Sequence, residues 1–97
     1  MKRKVTFMDI NQLRQLEALA QHGTMSAAAN ACNLSQLAFS RSIQRLESEL
    51  GAQLFDRQKN SVHLNETGRA AVAHARNVLR EVQLLQDAAD EVQRRAR

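Results

Sequence analysis

"TMSAAANACNLSQLAFSRSIQRLESELG", residues 24–51, is the stretch that decides the fold. It opens with an alanine-rich helical turn for which Thr24 or Ser26 is the cap. "NLS", residues 33–35, interrupts that helix, and Ser35 caps a longer one that stops at Gly51. Ala27, Ala28, Ala29 and Ala31 let one helix approach another closely. A tight helix, three-residue break, helix unit is the spacing of a helix-turn-helix. In the longer helix Phe39, Ile43, Leu46 and Leu50 fall within about 60° of arc, the face that packs inward. The opposite arc carries Leu37, Arg41, Gln44, Arg45 and Ser48, with Gln36 and Ser40 at its margin. Leu37 is therefore a bare leucine among residues suited to water or to a charged partner. Arg41 and Arg45 lie nearer the helix start, Glu47 and Glu49 nearer its end. The first half suits a phosphate-lined groove, and the second half is repelled from one.

Upstream, "DINQLRQLEALAQHG", residues 9–23, places Leu13, Leu16 and Ala20 at i, i+3, i+7 with Leu19 alongside. That spacing predicts an amphipathic helix with Asp9 near its start and Gly23 closing it. Downstream, Leu54 and Phe55 answer Val62 and Leu64 across a polar tip at Gln58, Lys59, Asn60 and Ser61, which predicts a short two-stranded wing. From Asn65 or Glu66 onward the chain reads as one long helix. Ala71, Ala75, Val78, Val82, Leu85, Ala89 and Val92 are spaced 4, 3, 4, 3, 4, 3, a heptad seam. About thirty residues at ~1.5 Å each make a rod of about 45 Å, too long to be covered by so small a domain. The seam is expected to bury itself against a second copy of the chain; packing back on its own domain is the alternative, with Leu79 and Leu84 as the off-seam residues for it. The heptads alone leave parallel and antiparallel pairing open.

The 97 residues hold 43% apolar side chains, no proline and three glycines, which bounds the chain to one small, almost wholly helical domain plus an appended element. The expected fold class is mainly α: residues 1–8 a flexible basic arm, 9–65 a winged helix-turn-helix, 66–97 a linker and dimerisation helix. The formal net charge is +4, and Lys2, Arg3 and Lys4 supply most of the excess. Charge alone does not identify nucleic acid as the partner; the arm adds nonspecific affinity through counterion release or is an unstructured start. One cysteine, Cys32, cannot form an internal disulfide, and no signal-like or membrane-length apolar run is present, so the chain reads as soluble and intracellular. Cys32 beside Ala28 and Ala29 reads as a small core side chain. His22, His63 and His74 lack metal-ligand spacing, with or without Cys32, so no metal and no cofactor are expected. No clustered carboxylates, nucleophile with base, or Gly-rich phosphate loop points to an enzyme.

From about Met8 to the end, the order of these elements resembles the N-terminal DNA-binding region of the LysR-type transcriptional regulators. The resemblance rests on "AA", "SQ", "SR.IQ.LE.ELG.QLF.R" and "L...G" occurring together at the family's spacing, within "LRQLEALAQHGTMSAAANACNLSQLAFSRSIQRLESELGAQLFDR" and "LNETG". It implies a winged helix-turn-helix, a linker helix that pairs antiparallel, and two recognition helices reading a pseudo-palindromic operator in double-stranded DNA. Residues matching Gln36, Leu37, Ser40 and Arg41 are implied to face the major groove, and the wing tip to approach the minor groove. It also implies a cytoplasmic, nucleoid-associated bacterial protein, a homodimer or a tetramer at full length, and an effector-binding domain that begins where this chain stops. Three positions depart from the family pattern: Leu37 stands where proline is usual, Asn60 where arginine is frequent, and Asn65 where threonine is usual. Lys59 is then left to supply the wing's charge, and Asn65 serves equally as an N-cap.

Gln suits adenine and Arg suits guanine through bidentate hydrogen bonds, so Gln36, Gln44, Arg41 and Arg45 can serve base edges or phosphates. Ser26 and Ser35 are caps first, and capped helix starts also aim amides at a phosphate. Arg57 and Lys59 are expected at phosphates. Leu37 either meets a thymine methyl or repacks the helix entry. The rival to a DNA-binding regulator is a winged-helix protein-interaction module, such as an antiactivator, using residues 37–48.

Overall fold

The computed structural model describes residues 8–58 and 61–96. Along the chain come α1 (Ile10–His22), α2 (Met25–Ala31), α3 (Gln36–Leu50), β1 (Phe55–Gln58), β2 (Ser61–Leu64) and α4 (Glu66–Arg95). Each helix starts where a side chain accepts from an amide that has no partner within the helix. Asp9 accepts from the Gln12 amide and the Gln12 side chain accepts from the Asp9 amide, both at 2.9 Å, forming a capping box. Thr24 caps α2, Ser35 caps α3 and Asn65 caps α4. Between the two serine-or-threonine readings of the α2 cap, Thr24 is correct: its backbone is extended and its hydroxyl accepts from the Ala27 amide, whereas Ser26 already lies inside the helix and is exposed. Gly23 and Gly51 end α1 and α3 in the left-handed region. Asn33, φ 57°, makes the turn between α2 and α3, and asparagine is among the few side-chain-bearing residues that enter that region readily.

The core lies where the helices and the base of the wing meet. Leu16 and Leu19 come from α1, Met25, Ala28 and Ala29 from α2, Phe39, Ile43 and Leu46 from α3, with Leu54, Phe55, Val72 and Ala75 closing it. The inward face of α3 is the one its periodicity defines, with Leu50 only partly buried at its end. Each large apolar side chain removed from water there contributes about 1.5–3 kcal/mol. The wing pairs antiparallel, Phe55 with Leu64 and Arg57 with Val62, and the Val62 amide donates to the Gly23 carbonyl at 2.9 Å, so the wing is fastened to the corner between α1 and α2. Leu54, just before β1, is held from three sides. Its amide donates to Glu47 at 2.8 Å, its carbonyl accepts from the Asn65 amide at 3.1 Å, and its side chain is fully buried.

Only the second half of the α4 seam is free. Ala75 is buried in the chain's own core and Ala71 packs against it, because the first turns of α4 lie on α1. Those two positions, expected in the seam between copies, are occupied within one chain. Arg76 pairs with Glu17 at 2.8 Å on the same contact. Beyond it Val78, Leu85 and Val92 are 41%, 71% and 55% exposed, and Val82 is half-buried. Of the two off-seam leucines, Leu79 is half-buried beside α1, as expected. Leu84 is 50% exposed, because the helix has by then run past its domain.

Candidate nucleic-acid interface

The outward face of α3 divides into three strips. At 3.6 residues per turn, Leu37, Arg41, Gln44 and Ser48 form the central strip, and all four are exposed. Gln36 and Ser40 lie on the wing side. Arg45 lies on the α1 side, in a groove with Asp9, Asn11, Gln15, Ser42 and Glu49. Leu37 is 61% exposed in the first turn past Ser35. It is no core residue.

Acidic side chains leave this face in two ways. Gln36 to Leu46 contains none. Glu47, the first, is turned inward, where its carboxylate accepts the Leu54 amide. The charge polarity along α3 therefore has a structural use at its distal end, and the half nearest the N-terminus is left electropositive.

The wing adds to that half. Arg57 lies over the Phe55 ring, 5.6 Å from its centroid, and donates to the Ser40 hydroxyl at 3.3 Å. Thr24, Ser26, Gln36, Arg57 and Ser61 line one cleft, so the α2 start, the α3 start and the wing meet around a set of donors. Thr24 and Ser61 were absent from the expected site. Thr24 carries a cap signal that Ser26 shares, and Ser61 carries none, since its position depends on the docking of the wing. Lys59 and Asn60 lie outside the described residues, as does the arm from Met1 to Phe7. His63 is exposed on β2 with Ser61 at 3.0 Å, a strand residue as expected. Cys32 is half-buried against the core, and burial pushes its thiol up from the ordinary value, away from the reactive thiolate. Among the described residues no group of three or more His, Cys, Asp or Glu side chains could hold a metal ion, and no helix is long and apolar enough to cross a membrane.

The chain is similar to known regulators over most of its length. It is 52% identical over 71 residues to the SDS degradation transcriptional activation protein of Pseudomonas sp. (strain ATCC 19151), covering 73% of this chain and 23% of that protein. It is 40% identical over 84 residues to the DNA-binding transcriptional dual regulator OxyR of Escherichia coli (strain K12), covering 87% of this chain and 28% of that one. The chain thus spans about a quarter of the length of these relatives. Among solved structures, the CbnR DNA-binding domain in complex with DNA superposes with a TM-score of 0.79 at 33% identity, over 93% of this chain and all of that one. Residues 10–69 match the family described as "Bacterial regulatory helix-turn-helix protein, lysR family". With the winged helix-turn-helix, its donor-lined α3 face and the long α4 all in the family's order, the chain belongs to the LysR family of bacterial regulators.

Proposed function

We propose that this chain binds double-stranded DNA sequence-specifically, as the reading and pairing part of a transcription regulator, with no catalytic activity of its own. The observation that carries the proposal is the face of α3 from Gln36 to Gln44: exposed, free of acid, and framed by Arg57 of the wing. An α-helix so presented fits the major groove, where Leu37, Arg41 and Gln44 stand centrally for base edges. Gln36 and Ser40 flank them. Arg45 and Arg57, at the two margins, suit phosphates. Ser26 and the Ser35-capped start of α3 add hydroxyl and amide donors, and by sequence Lys59, with Asn60 beside it, supplies a further charge for phosphate. The overlap with a DNA-bound relative's domain across nearly the whole chain supports the same pose.

Two copies join along α4 through Val78, Val82, Leu85, Ala89 and Val92, antiparallel as in the family, so that two α3 helices meet an inverted repeat. The domain division follows: an arm before Asp9, the winged unit to Asn65, the linker helix beyond. A regulator of this kind acts in the bacterial cytoplasm, on the nucleoid, and takes its effector on a part of the protein other than these helices.

Salt titration tests the reading. Affinity for duplex should fall steeply and linearly on logarithmic axes as salt rises, by roughly 0.9 log units per log unit of salt for each phosphate neutralised. Absence of duplex binding at low salt would favour the protein-interaction module instead.

A further inference from the structure

Strand alternation puts Arg57 on the same side of the wing as Phe55, Val62 and Leu64, and puts Asp56, Gln58, Ser61 and His63 on the other. Arg57 therefore leans towards α3 while remaining exposed. Its guanidinium rests over Phe55, which is buried and so cannot move away, and one of its amino groups donates to Ser40. Ser40 is half-buried one turn past Gln36 and beside Leu37, Arg41 and Gln44, at the edge of the strip assigned to bases.

A serine hydroxyl has one proton and two acceptor positions, and ordinarily serves either kind of base edge. Here a cation already donates to it. That donation occupies an acceptor position, and the positive charge beside it disfavours a second donor such as the amino group of cytosine or adenine. What remains to be offered outward is the proton. We propose that Arg57 is a positioning residue that fixes the polarity of Ser40, so that Ser40 donates to an acceptor in the major groove, guanine N7 or O6, thymine O4 or adenine N7. In this arrangement the wing contributes to base choice without touching the base. The inference rests on the DNA-binding reading above.

The test uses Arg57→Lys, which keeps the charge but loses the planar fork that spans Phe55 and Ser40. Duplexes selected by the unmodified chain from a random pool supply the specific site, and random duplex supplies the reference. Arg57→Lys, which keeps a charge for phosphate, should weaken specific binding about five-fold more than it weakens random-duplex binding, the worth of about one hydrogen bond. Ser40→Ala should do the same, and the double variant should lose no more than either single one. Equal losses on specific and random duplex, or single losses that multiply in the double variant, overturn the inference. Failure of the unmodified chain to bind any duplex at low salt refutes the DNA-binding reading, an outcome separate from these.

Discussion

Gly68→Ala should destabilise this protein, although the same exchange inside most helices stabilises. Glycine in a helix interior costs about 0.5–1 kcal/mol relative to alanine, so open space at Gly68 would make the variant firmer. The space is not open. A Cβ built on Gly68 stands 1.8 Å from the Leu54 carbonyl oxygen and 3.0 Å from a Leu64 methyl, where ordinary contact begins at 3.4 Å. The 1.6 Å between 1.8 and 3.4 has to come from movement of Leu54 or of α4. Leu54 is bonded through its amide to Glu47 and through its carbonyl to Asn65, and its side chain is buried. If α4 retreats instead, Val72 and Ala75 lose their place in the core. Overpacking of this kind costs about 1–3 kcal/mol, and a clash with a tethered carbonyl belongs at the upper end. After the helical gain of alanine, a net loss of about 2 kcal/mol remains. For a domain of this size that lowers Tm by roughly 8–16 °C, measured by circular dichroism at one fixed protein concentration because the proposed pairing would make Tm concentration-dependent. A Tm raised by a few degrees would refute the close approach.

Leu37→Pro should leave Tm within about 2 °C, because the side chain is exposed and proline is tolerated in the first turn of a helix. Sites selected from random duplex should then lose a thymine preference; a large drop in Tm with the preference intact would return Leu37 to a packing role. Val78→Asp with Val82→Asp should yield monomers by sedimentation and lower affinity for a two-half-site duplex by at least ten-fold, while one half-site is bound as before. An unchanged sedimenting mass would refute the seam.

The helices were legible because their signals are local. Asp9, Ser35 and Asn65 act within three residues of themselves, and Phe39, Ile43 and Leu46 share a face whatever surrounds the helix. Ala71 and Ala75, expected in a seam between copies, pack on the chain's own core for the opposite reason. Alanine satisfies a heptad seam between copies and a close intrachain contact equally well, and only the docking of α4 on α1 decides between them. The α2 cap was ambiguous because threonine and serine, two residues apart, are both good caps, and backbone conformation selects one. On the site, the outward residues of α3 follow from periodicity. The bond from Arg57 to Ser40 spans 17 residues and depends on how the wing folds back, which no local pattern encodes.

The three-sided hold on Leu54 makes the molecule a ruler. With α3, the wing and α4 tied to one residue, the reading helix keeps a fixed attitude to the rod that carries it. In a pair joined along α4, the register of the rods then sets the distance between reading heads. One heptad of slippage, seven residues at ~1.5 Å, moves the heads by about 10 Å, roughly three base pairs at ~3.4 Å each. In the proposed DNA-bound pair, the spacing of half-sites would then be written in where two helices cross, far from any base.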